Sequence, residues 1–414
     1  MKNCNGRFIC FLKDRNFFMP AVSKNAAVWT FIIAMVFISL FAGVTACDSR
    51  EKVIKIGNQG IFSGEDKFYG LDQTLSVSLA ASELSPVRIG GFEYKIEIVS
   101  KDDQGSAEKA FLVAQEFVEE GVSAVIGSTF NGTTKASIPV YSEYNMPFVV
   151  PSAQSEEIAA GSANFFRLII NNSQKIENIA SFISEEIKPL KLILVDTSEE
   201  YSVNLTDHLI EIFDSRKIEF VKRYSLLYDQ EQYQTLAENL LIDEPDYIFF
   251  CGDYSALAML ITKVREIGLD CGFITEEMGL NDGITSIADK SYLEGLVAIV
   301  PSPPSLSRYS EDKKAIEFWR KYGDYLEKTG DQDLNDTLGQ KGPGLFAPYS
   351  YDALYIIIQA MKETNSILFE DFSEGLKKIS FEGVTGHIQF NSNGDRLDPE
   401  STVFIMKNGD WVRY

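Results

Sequence analysis

The sequence predicts an α/β fold of two doubly wound lobes. Three observations predict it. Strand and helix patterns alternate from Val53 onward, and the rhythm restarts after "FFRLII". The apolar strand cores are short and mostly continuous, which suits parallel sheets covered on both faces. The chain has 414 residues, 45% hydrophobic and 24% charged, enough for two folded cores.

The first series runs in order from "VIKIGNQGIF", a strand, to the helix "GLDQTLSVSLAASEL" and the strand "EYKIEIVSKDD". "SAEKAFLVAQEFVEEG" is a helix with a Ser cap and a closing Gly. "SAVIGS" and "PFVVPSA" are strands on either side of the helix "TTKASIPVYSEY". The second series opens with the helix "SQKIENIASFISEEI". The strands "LKLILVDTS", "IEFVKRYSL", "DYIFFCGD" and "CGFITEE" follow, separated by the helices "NLTDHLIEIFDS", "QTLAENLLI" and "SALAMLITKVREIG". "GLVAIVPSPPS" ends this series in a proline cluster and reads as a crossover strand. Helices are expected at Glu311–Lys328, Tyr349–Lys362 and Phe372–Lys378. The last strands close around "NSNGD" and "MKNGDW", whose Asn-Gly pairs signal hairpin turns.

The first 46 residues stand apart. Ala26 to Ala46 is apolar or small apart from Thr and Ser, and Lys2, Arg7, Lys13, Arg15 and Lys24 precede it against Asp14 alone. A basic start, an apolar core and small residues before a cleavage point make an export signal. A single membrane anchor is the other reading of that length. The ending "VTAC" decides: it resembles the bacterial lipoprotein signal, which makes Cys47 the lipidated first residue of the mature chain. Met19 offers a second start that gives a signal of more usual length. Residues 47–52 are then a short tether.

Removing residues 1–46 leaves 33 basic side chains against 59 acidic, a net charge of −26. Such a surface repels nucleic acid and anionic lipid. Of five cysteines, Cys251 and Cys271 remain after Cys4, Cys10 and Cys47 are set aside. One closes its strand and the other opens the next, so they lie at opposite edges of a parallel sheet, read as two buried thiols and not a disulfide.

Catalysis finds little support. The two histidines, His208 and His387, stand next to no nucleophile in sequence, and no G-x-S-x-G, H-E-x-x-H or P-loop lysine motif occurs. "DQDLND" begins like a calcium loop but has Asp336 where Gly is needed and Gly342 where Glu is needed, so it reads as a solvated acidic loop. No cofactor and no metal are expected.

The strand ends carry the functional signal, because ligands of open α/β sheets bind outside the carboxyl ends. The first series offers "SGEDKFYG", "STFNGTT" and "PSAQS". "STFNGTT" runs into a helix, so Asn131, Gly132 and Thr133 can receive an anionic group there, ordinary capping being the simpler use. The second series offers Tyr201, Asp253 and Glu277. A carboxylate with aromatic walls suits a cationic or zwitterionic guest.

From Val53 to its end the chain resembles the periplasmic binding proteins of the leucine/isoleucine/valine type. The matching pieces are "IKIGNQGIFSG", "KDDQGSAEKAFLVAQEFVEEGVSAVIGS", "PFVVPSAQSEEI", "PDYIFFCGDYSALAMLITKVREIGL", "LEGLVAIVPSP", "YSYDALY" and "FEGVTGHIQFNSNGD", in family order. The resemblance implies the type I fold: two Rossmann-like lobes, residues 53–167 plus 302–385 and residues 168–301 plus 386–414, on a three-segment hinge that closes over a ligand. It implies a non-catalytic, monomeric solute-binding component of an ABC importer, outside the cytoplasm on a lipid anchor, with membrane permease subunits as partners. In that pattern a ligand carboxylate lies at Asn131 and its ammonium lies between Ser152, Ala153 and Gln154 on one lobe and Glu277 on the other. Tyr69, Tyr201 and Phe346 form the walls. Gln154 replaces a short hydroxyl residue of the family, Asp253 replaces a tyrosine, and the family's lobe-one disulfide has no cysteines here. These departures suit an amide, a small polar amino acid or a polyol as well as leucine. The competing expectation is a sensing module that reports a sugar or other polar ligand to a separate membrane receptor or kinase. The chain's end at Tyr414, soon after the last hairpin, favours a free-standing binder.

Overall fold

The computed structural model describes residues 52–158, 164–227, 230–300, 313–338, 343–397 and 401–414. The expected signal, the Met19 start, Cys47 and the proline cluster at 301–305 lie outside the described residues.

The first sheet contains β1 (Lys52–Gly60), β2 (Val87–Ile89), β3 (Phe92–Asp102), β4 (Ala124–Ile126), β5 (Phe148–Val150) and β6 (Phe165–Arg167), in the order β2-β3-β1-β4-β5-β6. The second contains β7 (Leu192–Asp196), β8 (Lys222–Ser225), β9 (Tyr247–Cys251), β10 (Gly272–Thr275) and β11 (Val297–Val300). Beyond them come β12 (Phe381–Gly383) and β13 (Gly386–Ile388), a separate ribbon, and β14 (Thr402–Lys407) and β15 (Asp410–Arg413), which join the second sheet in the order β15-β14-β11-β10-β9-β7-β8. Counted by their own parallel strands, both sheets share one winding: the first strand lies between the second and the third. The winding reverses between β1 and β4 and between β7 and β9, and a doubly wound sheet opens its crevice at such a point.

The helices in chain order are α1 (Lys67–Leu84), α2 (Ala107–Glu119), α3 (Asn131–Glu143), α4 (Asn172–Phe182), α5 (Glu200–Arg216), α6 (Gln230–Asp243), α7 (Tyr254–Glu266), α8 (Lys290–Leu293), α9 (Lys313–Thr329), α10 (Gln332–Leu338), α11 (Ala347–Thr364) and α12 (Phe369–Lys377). They cover both faces of each sheet. One core under the first sheet joins Ile54, Ile56 and Ile126 to Phe318, Leu354 and Phe372, so the segment after residue 313 returns to that sheet. The other face is closed by Phe117, Tyr141 and Phe148. Two further cores, around Ile248 and Leu257 and around Leu194 and Phe249, flank the second sheet.

Three local expectations change. "IEFVKRYSL" pairs only over Lys222–Ser225, because Ile218 and Phe220 pack as loop residues against the helical layer. "DQDLND" enters a helix, α10. Lys52 belongs to β1 and not to a tether, pairing with Tyr94. Cys251 and Cys271 are free, buried thiols. Among the described residues no helix is long and apolar enough to cross a membrane.

Candidate functional site

The first jaw forms where β1, β4 and β5 end side by side. The loops after β4 and β5 are stitched together by side chains. Ser152 Oγ donates to the carbonyls of Thr129 at 2.8 Å and Ser128 at 3.2 Å. Asn131 Oδ1 accepts the backbone N–H groups of Gln154 at 2.9 Å and Ser155 at 3.2 Å. Thr133 is buried, with Oγ1 2.6 Å from Ser128 Oγ and 3.2 Å from the Phe130 N–H. Asn131, Thr133 and Ser152 therefore hold the loops in place, and Ala153 is buried beneath them. Gly132 sits at the open start of α3, with no atom near where a Cβ would stand.

An aromatic rim borders this jaw. The Tyr69 ring lies 6.2 Å from Phe346 and 6.2 Å from Phe130, and is itself 41% exposed. Tyr69 and Phe346 thus meet across 277 residues of sequence, while Phe130 was not anticipated. The segment before Phe346 is tied down by Asp72, whose Oδ1 accepts from Tyr322 Oη at 2.7 Å and from the Gly344 N–H at 3.3 Å. Burial pushes the Asp72 carboxyl up to about 7, against these two bonds.

The second jaw forms at the ends of β7, β9 and β10. Asp253 is the cap of α7: its Oδ1 accepts from the Ser255 N–H at 2.8 Å and the Ala256 N–H at 3.1 Å. That use accounts for an acid where the family pattern has tyrosine. Glu277 does not stand alone. Its Oε1 is 2.7 Å from Lys175 Nζ, and the Tyr201 hydroxyl donates to it at 3.0 Å. Lys175 is 1% exposed, lies on α4, and also reaches Tyr201 Oη at 2.5 Å. Glu276, fully buried, is 3.2 Å from the same hydroxyl through Oε2.

Charge in this group follows from burial and pairing. Burial, reinforced by the neighbouring Glu277 carboxylate, lifts Glu276 well above the usual carboxylate range, so it carries a proton. Burial acts the same way on Glu277, but Lys175 outweighs it and holds Glu277 below its ordinary value. Burial pulls the Lys175 ammonium down; Glu277 and Glu276 pull it up, and the net direction is up. Burial and the two acids keep the Tyr201 hydroxyl protonated. The ensemble is one ion pair and one neutral acid.

Several buried polar atoms at these strand ends have no hydrogen-bond partner among the described residues: Gln154 Nε2, Asn172 Oδ1, Thr197 Oγ1 and Thr275 Oγ1, while the Glu276 and Glu277 carboxyls hydrogen-bond to one another. Native interiors rarely leave such atoms idle. The two jaws are also linked, because the Asn172 N–H at the head of α4 donates to the Gln154 carbonyl at 3.0 Å. A cavity of about 510 Å³ elsewhere, lined by Tyr233, Met259 and Lys263, lies on the helical layer of the second lobe and contains none of these groups.

The family model described as periplasmic binding protein matches residues 53–410. The chain belongs to that family. Its fold is that of the leucine/isoleucine/valine-binding proteins to which it is similar, and its family binds solutes without transforming them. The leucine-, isoleucine-, valine-, threonine- and alanine-binding protein of Pseudomonas aeruginosa is 23% identical over 365 residues, covering 88% of this chain and 92% of its own. A leucine-binding protein structure from Thermotoga maritima has a TM-score of 0.65 at 22% identity, covering 87% and 98%. An ABC transporter protein structure from Rhodospirillum rubrum reaches a TM-score of 0.74 at 17% identity, covering 87% and 100%.

Lys175 is the functional residue that sequence reasoning missed in this binding protein. In "SQKIENIASF" it reads as the solvated face of an amphipathic helix. The available signal was weak: it lies one helical turn from the crossover, where a side chain points back toward the helix start.

Proposed function

We propose that this binding protein is the extracytoplasmic solute-binding component of an ABC importer. It captures a small polar solute, an amino acid or a related amide, between the two jaws by hinge closure. One observation carries the reading. Buried and unpartnered, Gln154 Nε2 offers a donor from the first jaw, while Asn172 Oδ1 offers an acceptor at the head of the second. A guest of amino-acid size with both a C=O and N–H groups satisfies both at once. The rim of Tyr69, Phe130 and Phe346 supplies apolar cover for its remainder.

On this reading the lobes divide as residues 53–167 plus 302–385 and 168–301 plus 386–414, and the closed monomer is the form the permease subunits receive. Cys47 carries the lipid that keeps the binder at the membrane.

The test is a thermal-shift panel of amino acids, amides and sugars on the chain from residue 48. A ligand at 100 times its dissociation constant stabilises by about 2.7 kcal/mol. Silence across the amino acids and amides, with a response to sugars, removes the ligand class. Fatty-acid labelling of the full chain in a bacterial host, lost in Cys47→Ala, tests the anchor.

A further inference from the structure

Glu277 is the acid a cationic guest would need, yet its charge is already matched. Lys175 Nζ sits 2.7 Å from Glu277 Oε1, with both side chains nearly excluded from solvent at 1% and 12% exposure. The second acid, Glu276, is fully buried and hydrogen-bonded to Glu277. An ammonium entering here would meet a resident ammonium and no uncompensated carboxylate. Like charges juxtaposed in a buried setting are strongly disfavoured.

The idle atoms describe what is missing. They include one donor, Gln154 Nε2, and one acceptor, Asn172 Oδ1. They belong to one connected structure: the Asn172 N–H is bonded to the Gln154 carbonyl, and Lys175 follows Asn172 by three positions on α4 and carries Glu277. A neutral primary amide carries both a C=O for the donor and an N–H for the acceptor. A carboxylate has acceptors only and would leave Asn172 Oδ1 idle. An ammonium has donors only and would confront Lys175.

We infer that Lys175 is a specificity-determining residue and that the crevice selects neutral primary amides over α-amino acids. The inference rests on the proposed solute-binding role and names the ligand class within it. Lys175 fills the cation position beside Glu277 permanently, and the guest's amide bridges Gln154 to Asn172.

Isothermal titration with matched pairs tests it on the chain from residue 48: propanamide against alanine, and 4-methylpentanamide against leucine, with 4-methylpentanoate as the anionic arm. The expected result is that each amide binds at least about tenfold more tightly than its amino acid. In Lys175→Met the preference shifts toward the amino acid, whose ammonium now reaches an unpaired Glu277. If amino acids bind the unaltered chain as tightly as the amides, or the pentanoate binds best, the inference is overturned and the solute-binding role stands. If the unaltered chain binds neither amides nor amino acids, the proposed ligand class falls and the inference with it. The unaltered chain decides the matter even if Lys175→Met does not fold.

Discussion

Lys175 and Glu277 depend on one another for burial, and that dependence is measurable without any ligand. Glu277→Gln leaves a buried ammonium without its counter-ion, and unfolding by urea is expected to show a loss of about 3–5 kcal/mol. Lys175→Met combined with Glu277→Gln removes both charges and is expected to recover most of that loss. A double variant as unstable as the single one would mean that packing, not charge, set the cost. Asp72 makes a second prediction at this scale. Its folded-state value of about 7 lies above the ordinary 3.8, so the folded chain holds the extra proton between about pH 4 and 7. Stability therefore falls as pH rises through that window. Asp72→Asn keeps the acceptor for Tyr322 and Gly344 but cannot ionise. It is expected to be more stable than the parent at pH 8 by about 2–4 kcal/mol, with no advantage near pH 4. Parallel melts at the two pH values check this. Individual side chains were the least legible part of the sequence. Tyr201 and Glu277 were read from strand ends, and Tyr69 and Phe346 only from the resemblance. Asn131, Thr133, Ser152 and Asp253 lie in the loops where they were expected, but there they hydrogen-bond those loops. Nothing in a linear pattern reports whether a short polar side chain turns inward.

Elements were more legible, because periodicity and caps are local. Ser106 caps α2 through the Lys109 N–H, and the Asn408-Gly409 pair turns β14 into β15 with both residues at positive φ. The hairpin that pairs β2 with β3 went unread. Its Gly90-Gly91 turn is short, and β2 is only three residues long, too brief to show a period. A sharper constraint sits in α1. A Cβ on Gly70 would come within 1.9 Å of the Ile61 carbonyl oxygen, so α1 and the end of β1 approach backbone to backbone. Gly70→Ala must separate them. It is expected to cost about 1–3 kcal/mol and, because Tyr69 is the adjacent residue, to weaken ligand binding as well. Denaturation midpoints and titration of the same preparation measure both. Beneath this jaw Gln59 ties together Asp103, Ser137 and Tyr141, a buried polar set that fixes β1 against α3.

At the scale of the whole molecule the two windings were legible, and so was the family order. The crossover chemistry was not, because it joins residues more than 220 positions apart. Arg167, fully buried, has Nε 2.7 Å from Asp395 Oδ1, and its N–H donates to the Gly394 carbonyl at 2.7 Å. Its Nη1 reaches the carbonyls of Ala153 and Ser155. Nearby, Arg396 binds the carbonyls of Thr385 and His387. Asp395→Ala is expected to cost about 3–5 kcal/mol by stranding Arg167. A loss below 1 kcal/mol would show that the crossover does not depend on this pair. Small-angle scattering with and without a bound amide measures closure directly: the radius of gyration is expected to fall on binding.

The bond from the Asn172 N–H to the Gln154 carbonyl has a mechanical meaning. It fastens the loop of one jaw to the head of the first helix of the other, within a few residues of the Arg167 crossover. Gln154 therefore sits near the axle of the proposed closure, where rotation moves atoms least, while Tyr69 and Phe346 ride on the rim, where it moves them most. A solute seized at Gln154 is gripped at the short end of the lever. On the proposed closure, a solute held there is recognised while the mouth is still open, and the aromatic rim swings across only afterwards.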